Sequence, residues 1–191
     1  MDGPVETTSS PALSIADITS LSNNSDLLVE TSGLIFSDLI RGLKCLSSDQ
    51  YSKGYNDAKP SIGKHVRHIL EFYLEYIRYI EDPSSGPLCY DSRKRDLILE
   101  TSLDESLKTI KFIEQRLMMC SIDEQDIQLS AIVQPTLPPQ LLNSTLQREL
   151  MYLLDHTIHH MALIKMLAEF WGVNLPKNFG LAPSTICHEN R

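Results

Sequence analysis

The sequence predicts an all-α four-helix bundle, and three observations carry that prediction. Four long stretches repeat apolar residues at the i, i+3, i+4, i+7 intervals of an amphipathic helix. Helix-capping residues or Pro/Gly breaks bound these stretches. The connections between them are long enough to cross a bundle.

The totals agree. A chain of 191 residues with 42% hydrophobic content is expected to form one domain with a sizeable core. The expected division is a mobile tail over residues 1–24 and a single bundle domain over 25–191. The formal net charge is −8, and the one cationic cluster, Arg93-Lys94-Arg95, is flanked by Asp91 and Asp96. No basic patch tracks a phosphate backbone, so no nucleic-acid partner is expected. The four cysteines form no C-x-x-C pair and read as free thiols in a reducing compartment. The start lacks the charged and apolar regions of a signal peptide, and no apolar run reaches the length of a membrane span. A cytoplasmic, soluble protein without a membrane partner is the expectation.

Taken in order, the first helix begins near Ser25 or Asp26. Leu27, Leu28, Leu34, Ile35, Leu39, Ile40, Leu43 and Leu46 form its apolar face, and it should end before Ser52-Lys53-Gly54. Ser61, after Pro60, caps the second helix, SIGKHVRHILEFYLEYIRYIE. Its core face is Ile62, Val66, Ile69, Tyr73, Ile77 and Ile80, with an adjoining stripe of His65, His68, Phe72, Tyr76 and Tyr79. Asp82 to Pro87 breaks the chain, and LCYDSRKRDLILETS reads as a charged loop. Ser102 to Glu105 matches a capping box that starts the third helix, which runs to about Cys120. Residues 121–145 are weakly alternating and β-branched, then turn at Pro135, Pro138 and Pro139, which suits a short hairpin or an extended connector. Ser144 or Thr145 caps the fourth helix, which ends near Gly172. The irregular C-terminal tail carries Phe179, Leu181 and Ile186 and should pack back on the bundle.

The fourth helix holds three of the six histidines within five residues, His156, His159 and His160. Side chains at i and i+4 share a face, so His156 and His160 stack one turn apart on a largely apolar stripe that also holds Glu149. Imidazoles on a core-facing stripe need partners, because an unpaired buried polar group costs roughly 1–3 kcal/mol. One metal ion, or hydrogen bonds within the core, would satisfy both rings. No Glu follows His156, so this is not the H-E-x-x-H motif of metalloproteases. His159 points to the flank. A third ligand would come from the second helix, where periodicity does not choose between His65 and His68.

The run S-I-G-K-H-V-R-H, followed about ninety residues later by H-T-I-H-H, resembles the DinB/YfiT-like metalloenzymes. The resemblance spans roughly residues 26–172 and implies a four-helix bundle of DinB/YfiT type with a three-histidine divalent-metal site. The family's second-helix ligand lies seven residues after the capping residue, so the resemblance selects His68, beside His156 and His160. Met161-Ala162-Leu163 stand where many members have Arg-Gly-Gln. The implied cofactor is a divalent ion; imidazole donors suit Zn, Ni, Fe or Mn.

Three imidazoles and an open position describe a catalytic site. By resemblance, a thiol-dependent small-molecule transferase using a cellular thiol is the first expectation, a metal-dependent hydrolase the next, and a non-catalytic metal- or ligand-binding bundle a third. A homodimer through a helix face is a further expectation. Secondary candidates are Glu71 as an acceptor behind His68, Glu149, Tyr152 and His65 around the pocket, and Arg93 and Arg95 as a clamp for a substrate carboxylate. Each has a bland counterpart: a solvated carboxylate, a helix-dipole partner, a packed aromatic, or a loop that pairs its own charges.

Overall fold

The structure is a computed structural model that describes residues 24–54 and 60–189. The tail expected over residues 1–24 lies outside the described residues, except Asn24, which opens the first helix.

Four long helices build the bundle: α1 (Asn24–Leu43), α3 (Ile62–Glu81), α5 (Leu103–Met119) and α6 (Leu146–Phe170). Short helices α2 (Ser48–Ser52), α4 (Leu97–Thr101) and α7 (Pro183–Glu189) fill the connections and the C-terminus. The long helices pack around a ring, α1 against α5 and α6, and α3 against the same two from the other side. Phe36, Leu39, Val66, Ile69, Ile110, Ile113, Leu150 and Ile164 are buried between them. Each buried methylene contributes about 0.8 kcal/mol, so this shared core holds the bundle and the caps set its boundaries.

The caps fall close to where local chemistry puts them. Ser61 Oγ accepts from Lys64 N, Ser102 Oγ from Glu105 N, and Thr145 Oγ1 from Arg148 N. The expected first helix stops earlier, at Leu43, because Ser47 and Gln50 close a complete capping box that starts α2. The run read as a loop after Pro87 contains α4, capped by Asp96, whose side chain accepts from Ile98 N. The C-terminal segment read as irregular ends in α7, and Phe179 before it is buried. Gly42 makes that docking feasible: a Cβ there would meet the Phe179 ring at 2.3 Å.

Residues 121–145 form the hairpin alternative. Strands β1 (Asp126–Ala131) and β2 (Gln140–Thr145) pair antiparallel, from Asp126 opposite Thr145 to Ala131 opposite Gln140. Leu88 adds a short parallel bridge to β1, with Leu88 N donating to Gln128 O at 2.9 Å and Ser130 N to Leu88 O at 2.7 Å. The hairpin and this strap bring Tyr90 to the side of α3 that carries the histidines. Among the described residues, no helix is long and apolar enough to cross a membrane.

Candidate metal centre

Helix α3 presents His65, His68 and Phe72; helix α6 presents Tyr152, His156 and His160. The two helices pack side by side, and their histidine stripes meet. One ring nitrogen from each of His68, His156 and His160 lies within 4.8 Å of the others. Ring centroids are 4.9 Å apart for His68 and His156, 4.7 Å for His68 and His160, and 4.6 Å for His156 and His160. The three candidate ligands therefore converge from two helices that share no local sequence.

All three imidazoles are held in the neutral, lone-pair-bearing form that a cation requires. Burial is the main cause for each, with neighbouring imidazoles adding to it and Arg93 adding to it for His68 and His156. It lowers His68 to about 4, His156 to about 4 and His160 to about 3. Nε2 of His156 is buried and has no hydrogen-bond partner among the described residues. A cation between the rings fits this donor set: it would meet the orphaned nitrogen and suit neutral imidazoles.

His65 takes a different part from the other three. Its Nδ1 lies 2.9 Å from Nδ1 of His160. Between two neutral rings, one of these nitrogens carries the proton and the other accepts it. The contact fixes the orientation of His160 and leaves its Nε2 free to face the cluster. His159 is exposed, with its ring centroid 5.3 Å from that of His160 in an edge-on arrangement.

An aromatic wall closes one side. Phe72 stacks on His156 at 4.7 Å and 20°, and on Tyr90 at 4.8 Å and 2°. Tyr152 stacks on the His156 ring at 5.4 Å. Arg93 lies over Phe72, 5.5 Å from the ring centroid, and donates from Nη1 to Tyr90 O at 3.1 Å. Its charge helps lower both His68 and His156, which places a guanidinium in electrostatic reach of the cluster.

The remaining sequence candidates stand one layer back. Glu71 is buried, with Oε1 accepting from Asp96 N at 2.6 Å and Oε2 lying 3.9 Å from Nε of both Arg67 and Arg93. Among the described residues no hydrogen bond joins it to His68; it anchors the Arg93 loop instead. Glu149 is buried and accepts from Ser144 Oγ at 2.6 Å and from Tyr90 Oη at 3.1 Å. It therefore holds the ring that braces Phe72. Arg95 is exposed and donates to Arg93 O at 3.3 Å. Sequence reasoning missed Tyr90 and Arg67. Tyr90 lies outside any periodic element, and its only sequence signal is its place beside the charged loop run.

Fold and site together define a four-helix bundle bearing a histidine cluster between its second and last long helices. The chain belongs to the DinB family, whose sequence model matches residues 37–178. It is similar in structure to YfiT from Bacillus subtilis, described as a probable metal-dependent hydrolase with an unusual four-helix bundle topology. That likeness has a TM-score of 0.59 and 13% identity, covering 88% of this chain and 95% of the other, and at this identity it shows the fold. A stretch of 106 residues is 36% identical to FK506-binding protein 5 of Rhizopus delemar, covering 53% of this chain and 27% of that protein. The match thus spans about a quarter of the length of that curated relative.

Proposed function

We propose that this chain is a divalent-metal-dependent enzyme acting on a small molecule, with His68, His156 and His160 as the metal ligands. One observation carries the proposal: ring nitrogens of three imidazoles converge within 4.8 Å, and His156 Nε2 is buried without a hydrogen-bond partner among the described residues. A divalent ion bound there supplies Lewis acidity and acidifies a water or a thiol. The chain's own residues do the rest. His65 Nδ1 meets His160 Nδ1 and so holds the orientation of that ring. Arg93 adds positive charge beside the cluster, favouring an anionic nucleophile or substrate group. Phe72 and Tyr152 stack on the His156 ring and, with Tyr90, supply an apolar wall beside it.

Hydrolysis is the leading reaction, because YfiT is described as a probable metal-dependent hydrolase. Transfer to a small cellular thiol is the alternative and rests on the sequence resemblance. A metal-binding bundle without turnover is the third reading. Metal analysis of the purified chain decides the first point. The expected result is about one equivalent of a divalent ion, falling to background in His156→Ala/His160→Ala; negligible or unchanged metal sinks the proposal. Assays with aryl esters, and with a thiol plus an electrophile, then separate the three readings.

A further inference from the structure

Along α6 the triad continues as a ladder. Arg148, Tyr152, His156 and His160 follow one another at four-residue steps, so they form one stripe that climbs about 6 Å per step. Beside the lower half lies a cavity of about 330 Å³ lined by Phe72, Tyr90, Asp91, Ile132, Arg148 and Tyr152 among others. Small-molecule sites begin at about this volume. Two of its walls, Phe72 and Tyr152, are the rings that stack on His156.

The polar groups of this cavity divide sharply. Its carboxylates are engaged: Glu149 accepts from Ser144 and Tyr90, and Asp91 Oδ2 accepts from Ile132 N at 3.0 Å. Arg148 lines the cavity from its exposed edge, and its guanidinium makes no ion pair or hydrogen bond among the described residues; nor does the hydroxyl of the half-buried Tyr152. Arg148 also lies in the first turn of α6, where the helix dipole disfavours a cation. An exposed cation that no protein carboxylate neutralises is available to an anionic group entering the cavity.

We propose that this cavity is a substrate subsite, in which Phe72, Tyr90 and Tyr152 hold an apolar or aromatic body and Arg148 receives a carboxylate at its end. One guanidinium beside two carboxylates suits a monoanion better than a phosphate dianion. Arg148 and His156 are two four-residue steps apart, so the substrate's carboxylate and its reacting atom would be separated by about 12 Å along the helix. This rests on the metal-site reading above for the position of the reacting atom.

The test is calorimetric titration of the full chain, as purified and zinc-loaded, with 3-phenylpropionate and its uncharged analogue 3-phenylpropionamide. The carboxylate should bind about tenfold tighter than the amide, as a charge-assisted pair allows. Arg148→Gln should abolish that preference and Arg148→Lys should keep part of it. Tyr152→Leu should weaken both probes alike. No preference in the natural chain overturns the proposal, and so does a preference retained in Arg148→Gln, which would put the carboxylate on the ion or on Arg93. Zinc content is read on the same samples. Bound zinc without discrimination sinks the subsite alone; discrimination through Arg148 without bound zinc sinks the metal reading alone.

Discussion

Two of the polar clusters among the described residues of this bundle are satisfied differently. In one, the Tyr51 hydroxyl donates to Leu99 O at 2.6 Å, and Ser106 Oγ sits 2.7 Å from that hydroxyl and 2.8 Å from the same carbonyl. Tyr51 and Ser106 are fully buried, and protein atoms meet each of their polar groups. In the other, among the described residues, four imidazoles share one hydrogen bond between His65 and His160, while Nε2 of His156 has no partner. The first cluster ties α2, α4 and α5 together. The second sits between α3 and α6 and contributes little that holds them. A satisfied buried network rigidifies a fold, whereas an unsatisfied one leaves polar atoms that call for a further partner.

The largest effect that would break this contrast is at Gly63, beside the closed cluster. A Cβ there would lie 1.9 Å from Glu100 O and 2.8 Å from the Tyr51 ring. Gly63→Ala must therefore push α3 away from α4, at a cost of about 3 kcal/mol. Chemical denaturation should show that loss. If stability is unchanged, the tight joint at the closed cluster is not what holds these elements.

A smaller effect is expected at the open cluster. His65→Leu removes the partner of His160 and should weaken metal binding by about 10–100-fold, with little change in the stability of the metal-free protein. His65→Asn, which can accept from the same Nδ1–H, should recover much of the affinity. Equal affinities in all three proteins would deny His65 its orienting role.

The mildest probe is pH. In the metal-free protein, His68, His156 and His160 are lowered to about 4, 4 and 3, below the ordinary histidine value of about 6.5. Between about pH 6.5 and 3 the unfolded chain therefore binds more protons than the folded one. Stability rises with pH across that window and is lost as pH falls through it. Melting curves should show that slope, and His156→Ala/His160→Ala should flatten it. A slope unchanged in the variant would assign the acid sensitivity elsewhere.

Most of the fold could be read along the chain because its determinants are local. Apolar spacing locates the four long helices, and the hydroxyls of Ser61, Ser102 and Thr145 cap three of them. Where local signals competed, the reading slipped: Ser47 and Gln50 end α1 early, and Asp96 starts a helix inside a charged loop. The site was legible in part for the same reason. His156 and His160 share a face by helix geometry alone. Choosing His68 needed the family resemblance, since on one helix wheel His65 is as plausible.

By itself, then, the sequence determined which stretches are helical, which faces are apolar, and that two imidazoles lie one turn apart. Only the tertiary structure decided that His65 bonds to His160, that Tyr90 reaches Phe72 through the Leu88 strap, and that Glu149 braces Tyr90. It also decided that Arg148 lines a cavity beside the triad. The physical reason is separation along the chain. Periodicity and caps act over one or two turns, whereas these contacts join residues that only packing brings together.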